Sequence, residues 1–95
     1  MHYLSIRGVA PILVALVLLL SQAASALPEG QVNINTAAAE QLAEVLDGVG
    51  PARAQAIVDY RERYGDFAVI EDLLEVRGIG PNVVEVNRER MALQD

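Results

Sequence analysis

The residues most able to do chemistry in this chain fall in two short segments. Leu46-Asp47-Gly48-Val49-Gly50-Pro51 and Val76-Arg77-Gly78-Ile79-Gly80-Pro81 lie thirty residues apart and share the order apolar-x-Gly-apolar-Gly-Pro. Glycine reaches positive φ without steric cost, and its missing side chain lets another molecule come close to the backbone. Proline presets a helical φ and has no N–H, which suits the first position of a helix. Each segment therefore reads as a tight turn feeding a helix N-terminus, where unsatisfied amide donors favour an anion such as a phosphate. Val49 and Ile79, between the glycines, are expected to point back and plug each turn onto its helices. The same spacing would also serve merely to close a helical hairpin. Its repetition shifts the balance toward a binding surface, because an internal repeat describes two similar supersecondary units in one domain.

Little other chemistry is open to the chain. It has 95 residues, no cysteine, seven Lys and Arg together against thirteen acids, and a net charge of -6. That length limits it to one small domain. Beyond Ala26 there is no Ser, His, Cys or Lys, and Thr36, Tyr60 and Tyr64 are the only hydroxyl side chains. Nucleophilic triads, Schiff-base lysines and His-based metal sites need residue types that this stretch lacks. Glu71, Asp72 and Glu75 are close enough in sequence for acid/base work, but at helical spacing such acids more often form a solvated face. No catalytic residue, metal, cofactor or small-molecule substrate is expected.

The first 26 residues read as a cleavable secretory signal. Met1 to Gly8 is a short basic lead with Arg7, Val9 to Leu20 is a 12-residue apolar run, and Ala24-Ser25-Ala26 gives an A-x-A cleavage pattern. A membrane-spanning helix needs about 20 apolar residues, and Ser21-Gln22 interrupts this run early. Cleavage near Ala26 would place the protein in the periplasm or outside the cell. Residues 27–31 then form a flexible lead-in with Pro28 and Gly30, and residues 32–95 form the folded domain.

The elements that must position the two turns are four short helices. Helix 1 is expected from about Ala38 to Leu46, entered through Asn35-Thr36, with Leu42, Val45 and Leu46 inward. Helix 2 runs from Pro51 to Gly65, with Ala54, Ile57, Val58 and Tyr64 on its apolar side. Phe67 sits in the connector. Helix 3 spans about Ile70 to Val76 with Leu73 and Leu74 inward, and helix 4 runs from Pro81 to about Leu93. No strand is expected. The fold class is thus all-α. Arg61, Arg63, Arg88 and Arg90 are expected to be solvated partners of Asp59, Glu62, Glu85 and Glu89.

Val32-Asn33-Ile34-Asn35-Thr36-Ala37, Gly48 through Ile57, Asp59-Tyr60-Arg61, Glu71-Asp72-Leu73-Leu74 and Gly78-Ile79-Gly80-Pro81 together carry a family resemblance. The chain resembles the ComEA family of competence DNA receptors, in a short form with a tandem helix-hairpin-helix domain. The resemblance implies an exported domain that binds double-stranded DNA without sequence preference during natural transformation. It places phosphate contacts on the amides of Gly48, Gly50, Gly78 and Gly80 and on the helix turns that follow them, with Arg53 matching a basic residue after the first hairpin; with Val49, Ala52, Arg77, Ile79 and Asn82 beside them, these residues make up the expected DNA-binding set. It implies a pseudo-two-fold relation between the hairpins, and DNA-uptake or secretion machinery as further partners. Against the family pattern, Asp47 puts a negative charge beside the first hairpin, Asn82 and Val83 stand where a lysine is usual, and Asn87 replaces an apolar core residue. The acidic balance favours a second reading, a helical protein-interaction module that keeps the fold without affinity for DNA.

Overall fold

The computed structural model describes residues 26–95, so the expected signal segment up to Ser25 lies outside the described residues. Among the described residues, no helix is long and apolar enough to cross a membrane. The element order is β1 (Val32–Asn33), α1 (Ala39–Val45), α2 (Pro51–Tyr64), a 3-10 helix (Ile70–Glu75), α3 (Pro81–Asn87), a second 3-10 turn (Arg88–Arg90) and β2 (Met91–Ala92). The four expected helical segments are present, with three differences that have physical causes.

First, the chain contains strands. β1 and β2 pair in parallel, Val32 opposite Met91 and Asn33 opposite Ala92, and Ile34 N–H extends the ladder to Ala92 O at 3.0 Å. Two residues are too few to show alternation, so periodicity is silent on them. The pairing shortens the last helix. Helix 4 was expected to reach about Leu93, but α3 ends at Asn87, and the chain tightens through Arg88–Arg90 so that Met91 can enter the core beside β1.

Second, the third helix is a 3-10 helix. Residues three apart eclipse in this geometry, which puts Ile70, Leu73 and Val76 on one edge, half-buried, buried and buried respectively. Leu74 is turned away by a third of a turn and is 43% exposed rather than inward. Asp72 closes the start of this helix, its carboxylate accepting from Ala68 N–H at 2.9 Å and Val69 N–H at 3.2 Å.

Third, Tyr64 is 64% exposed although it lies on the same helical side as Ile57. α2 has fourteen residues and α1 seven. At 1.5 Å rise per residue, the last turns of α2 run past the partner helix and leave Tyr64 uncovered. The helix stops at Gly65, whose φ of +96° suits glycine.

The core is a single cluster in which Leu42, Leu46, Ala54 and Ile57 of the first helical pair meet Leu73, Val76 and Val84 of the second. Ile34 and Val32 close it from β1. Its buried polar residues, Asn33 and Asn87, are hydrogen-bonded, and half-buried polar side chains brace its edge. The Asn35 side chain donates to Phe67 O at 3.1 Å and Leu93 O at 3.0 Å and accepts from Phe67 N–H at 2.7 Å, tying the entry turn to both the connector and the residue that follows β2. Arg61 is no solvated partner of a neighbouring acid: its guanidinium donates to Ile34 O at 2.9 Å and Ala37 O at 2.6 Å, bracing α2 against the turn into α1.

Candidate nucleic-acid interface

The two Gly-x-Gly segments form matching hairpins. In the first, Val49 N–H bonds Leu46 O at 3.4 Å and Ala54 N–H opens the helical ladder on Gly50 O at 2.9 Å; in the second, Ile79 N–H bonds Val76 O at 3.1 Å and Val84 N–H bonds Gly80 O at 3.2 Å. Val49 and Ile79 are buried and plug the hairpins onto the core, as their position between glycines predicts. Pro51 and Pro81 occupy the first helical turn, and neither helix start has a side-chain cap. The N–H groups of Gly48 and Gly50, and of Gly78 and Gly80, find no protein acceptor among the described residues. Ala52 and Asn82, both exposed, are the second residues of α2 and α3 and present first-turn amides beside them.

Within each hairpin the glycines differ in why they are needed. Gly48 and Gly78 have φ of +74° and +92°, the left-handed region. Gly50 and Gly80 are extended, with φ of -77° and -107°, and a Cβ built on either meets nothing within 4 Å. Neither backbone strain nor crowding therefore demands glycine at these two positions. An outside group that must reach the backbone does.

The hairpins are joined reciprocally. A Cβ at Gly48 would touch the Val83 side chain at 4.0 Å, and one at Gly78 would lie 3.4 Å from the Arg53 side chain. Positions 48 and 78, and 53 and 83, match in the thirty-residue repeat. Each hairpin thus packs under the helix that follows the other, the contact pattern of a pseudo-two-fold. Arg53 does more than stand beside its own hairpin: its Nη1 donates to Gly48 O at 2.9 Å while its stem covers Gly78. It braces both turns and keeps the rest of an exposed guanidinium available.

Two residues outside the expected site hold the first hairpin in place. Asn87 is fully buried, accepts from Asp47 N–H at 2.8 Å, and donates to Asp47 O at 2.8 Å and Val83 O at 2.9 Å. An asparagine at a core position was the available sign of this, since a buried amide must find partners. Arg90 forms an ion pair with Asp47, so the acid beside the first hairpin is locally neutralised and Arg90 does not pair with Glu89 as expected. Arg77, beside the second hairpin, is exposed and has no ion pair among the described residues.

Arg88 pairs with Glu85 at 3.1 Å, as expected, and also with Glu71 at 2.7 Å, linking the end of α3 to the 3-10 helix. The hydrogen bond from Arg88 holds the Glu71 carboxyl below the usual glutamate range, and the same bond raises Arg88 further. Among the described residues, no group of three or more His, Asp or Glu side chains is placed to hold a metal ion.

The helix-hairpin-helix motif model matches residues 28–92. The chain belongs to the helix-hairpin-helix family. It is 46% identical over 71 residues to an uncharacterized protein of Haemophilus influenzae, a match covering 75% of this chain and 63% of that one. It is 52% identical over 54 residues to ComE operon protein 1 of Bacillus subtilis, covering 57% of this chain and 26% of that protein. It is also 47% identical over 55 residues to a human endonuclease/exonuclease/phosphatase family domain-containing protein 1, covering 58% of this chain and 10% of that protein. The chain therefore spans less than two thirds of the length of each of these relatives.

Proposed function

We propose that this protein binds double-stranded DNA without sequence preference, outside the cytoplasm, and serves DNA uptake in natural transformation. It acts by binding rather than catalysis. The observation that carries the reading is the pair Gly50 and Gly80, glycines that neither strain nor crowding demands, at the same place in two joined hairpins. With their free amides and with Arg53 and Arg77 alongside, the hairpins offer two phosphate cradles on one rigid body. Contacts of this kind position a protein on a duplex and read no bases. The similarity to ComE operon protein 1 supports the uptake role. Export rests on the apolar run and A-x-A pattern of the first 26 residues.

Titrating a fluorescent duplex at two salt concentrations tests this. Affinity should fall as salt rises, and unrelated duplexes of equal length should bind alike. A preference above about 2 kcal/mol for one sequence, the size of a good bidentate base contact, overturns the non-specific reading. The acidic balance supports the second reading, a protein-interaction module in a secretion or envelope assembly. Absence of measurable duplex binding at low salt puts that reading first.

A further inference from the structure

Beside the second hairpin lies an open groove of about 520 Å³ between the outer face of α2 and the segment entering Gly78. One wall is aromatic. Tyr60 stacks on Phe67 with ring centroids 5.4 Å apart and planes 9° from parallel, and Tyr64 leans on Tyr60 at 4.7 Å. These are all the aromatic side chains beyond Ala26, gathered in one place with the Tyr64 ring largely in solvent. Arg63 lies with its guanidinium 5.5 Å from the Tyr64 ring centroid, and Arg77 stands on the opposite wall.

The repeat shows why this groove is open. Positions 60 and 77 match positions 90 and 47 in the other half of the molecule. There, Arg90 and Asp47 are joined in an ion pair that bridges the two elements. Here the corresponding residues are Tyr60 and Arg77, which make no such bridge.

The geometry points to a binding site for one unpaired nucleotide at the end of a DNA strand, continuous with the second hairpin and resting on the DNA-binding reading above. The base stacks on the exposed Tyr64 ring, which Tyr60 supports from behind and Arg63 flanks, and such aromatic and guanidinium surfaces are tolerant of base identity. Its phosphate meets Arg77. Asp59 and Glu75 also line the groove. They repel a run of phosphates, yet they can accept hydrogen bonds from exocyclic amino groups of bases. A single base with one phosphate fits that mixed lining better than a continuous backbone does. The site makes the protein favour frayed or overhanging ends over blunt duplex.

The purified protein is titrated with a blunt duplex and with the same duplex carrying a short single-stranded overhang, on the 3′ and the 5′ strand in turn, while tyrosine fluorescence is followed. One overhang polarity should bind about fivefold or more tighter than blunt duplex, with quenching of tyrosine emission. Tyr64→Ala should abolish that advantage and leave blunt-duplex affinity unchanged; Tyr64→Phe, which keeps a stacking ring, should retain it. Helicity by circular dichroism shows whether each variant is folded, and the exposed Tyr64 side chain can be lost without opening the core. Equal affinity for blunt and overhanging duplexes, or an advantage that survives Tyr64→Ala, overturns this site and leaves the duplex reading intact. Binding of overhangs without any binding of blunt duplex overturns the duplex reading and keeps the site. If neither probe binds, both fall.

Discussion

Gly48 and Gly78 sit at positive φ, where an L side chain costs roughly 1–2 kcal/mol, whereas Gly50 and Gly80 are extended and face open space. Alanine at the four positions therefore separates folding from binding. Gly50→Ala and Gly80→Ala should lose no more than the modest N-cap preference for glycine over alanine, below about 1 kcal/mol, and should bind duplex more weakly, because the new methyl group stands in the proposed path of a phosphate. Gly48→Ala and Gly78→Ala should each lower stability by roughly 1–2 kcal/mol, the cost lying in the backbone, since their Cβ atoms meet Val83 and Arg53 only at ordinary contact distance. Denaturant melts and duplex titrations on the same samples check this; equal affinity for parent and Gly50→Ala would mean that the first hairpin is not a phosphate cradle. The arginines separate in the same manner. Arg53 is partly committed to Gly48 O, so its removal both loosens a turn and deletes a charge. Arg77 has no ion pair among the described residues, and Arg77→Ala should cut the magnitude of the log affinity against log salt slope by about 0.9 with no change in stability.

At the scale of elements, the first hairpin is held from across the repeat by Asn87, and this is the place where a small change should be felt most. Asn87→Leu fills a similar volume but leaves Asp47 N–H and C=O without partners, and a buried unsatisfied group costs about 1–3 kcal/mol. We expect a destabilisation in that range by denaturant melt, with weaker duplex binding in the folded fraction; parental stability would show that Asp47 finds other partners or water. A second element-level coupling is the link from α3 to the 3-10 helix. Arg88 depresses the Glu71 carboxyl, so the pair contributes above the ordinary glutamate range and is lost as pH falls through the lowered value. Arg88→Ala should raise the Glu71 carboxyl toward the ordinary range in an NMR titration, with the hydrogen bond to its own backbone still holding it partly down. A Glu71 as acidic in that variant as in the parent would mean that the backbone, not Arg88, sets its acidity. The helix starts at Pro51 and Pro81 and the plugs Val49 and Ile79 were legible in the sequence because local chemistry fixes them: proline, glycine and a lone apolar residue leave few alternatives. The parallel pair Val32–Asn33 and Met91–Ala92, the 3-10 geometry that turns Leu74 outward, and the pairing of Asp47 with Arg90 were not. Each depends on contacts between residues far apart in the chain, and neither period nor neighbour charge reports those. The fate of Arg61 makes the point: its nearest acids in sequence suggested a solvated pair, while the fold offered two backbone carbonyls that needed a donor.

For the whole molecule the governing quantity is the contrast between a local grip and an acidic body. Residues 27–95 carry six arginines against thirteen acids, and several of those arginines are spent on internal carbonyls or on acids. On the proposed reading, a duplex at a distance therefore meets net repulsion, while a duplex in contact meets free amides, Arg53 and Arg77. These two effects respond oppositely to salt. Repulsion acts on approach and is screened when the Debye length shrinks from about 30 Å at 0.01 M to about 10 Å at 0.1 M. Phosphate contacts act in the bound state and weaken as displaced counterions return. The association rate should thus stay level or rise between those two salt concentrations, and the dissociation rate should carry the whole loss of affinity. Strongly basic partners behave the other way, with association slowing steeply as salt is added. Stopped-flow mixing with a labelled duplex distinguishes the two. A steep fall in association rate would mean that the hairpin face dominates the field at long range, and that the thirteen acids lie turned away from the approaching DNA.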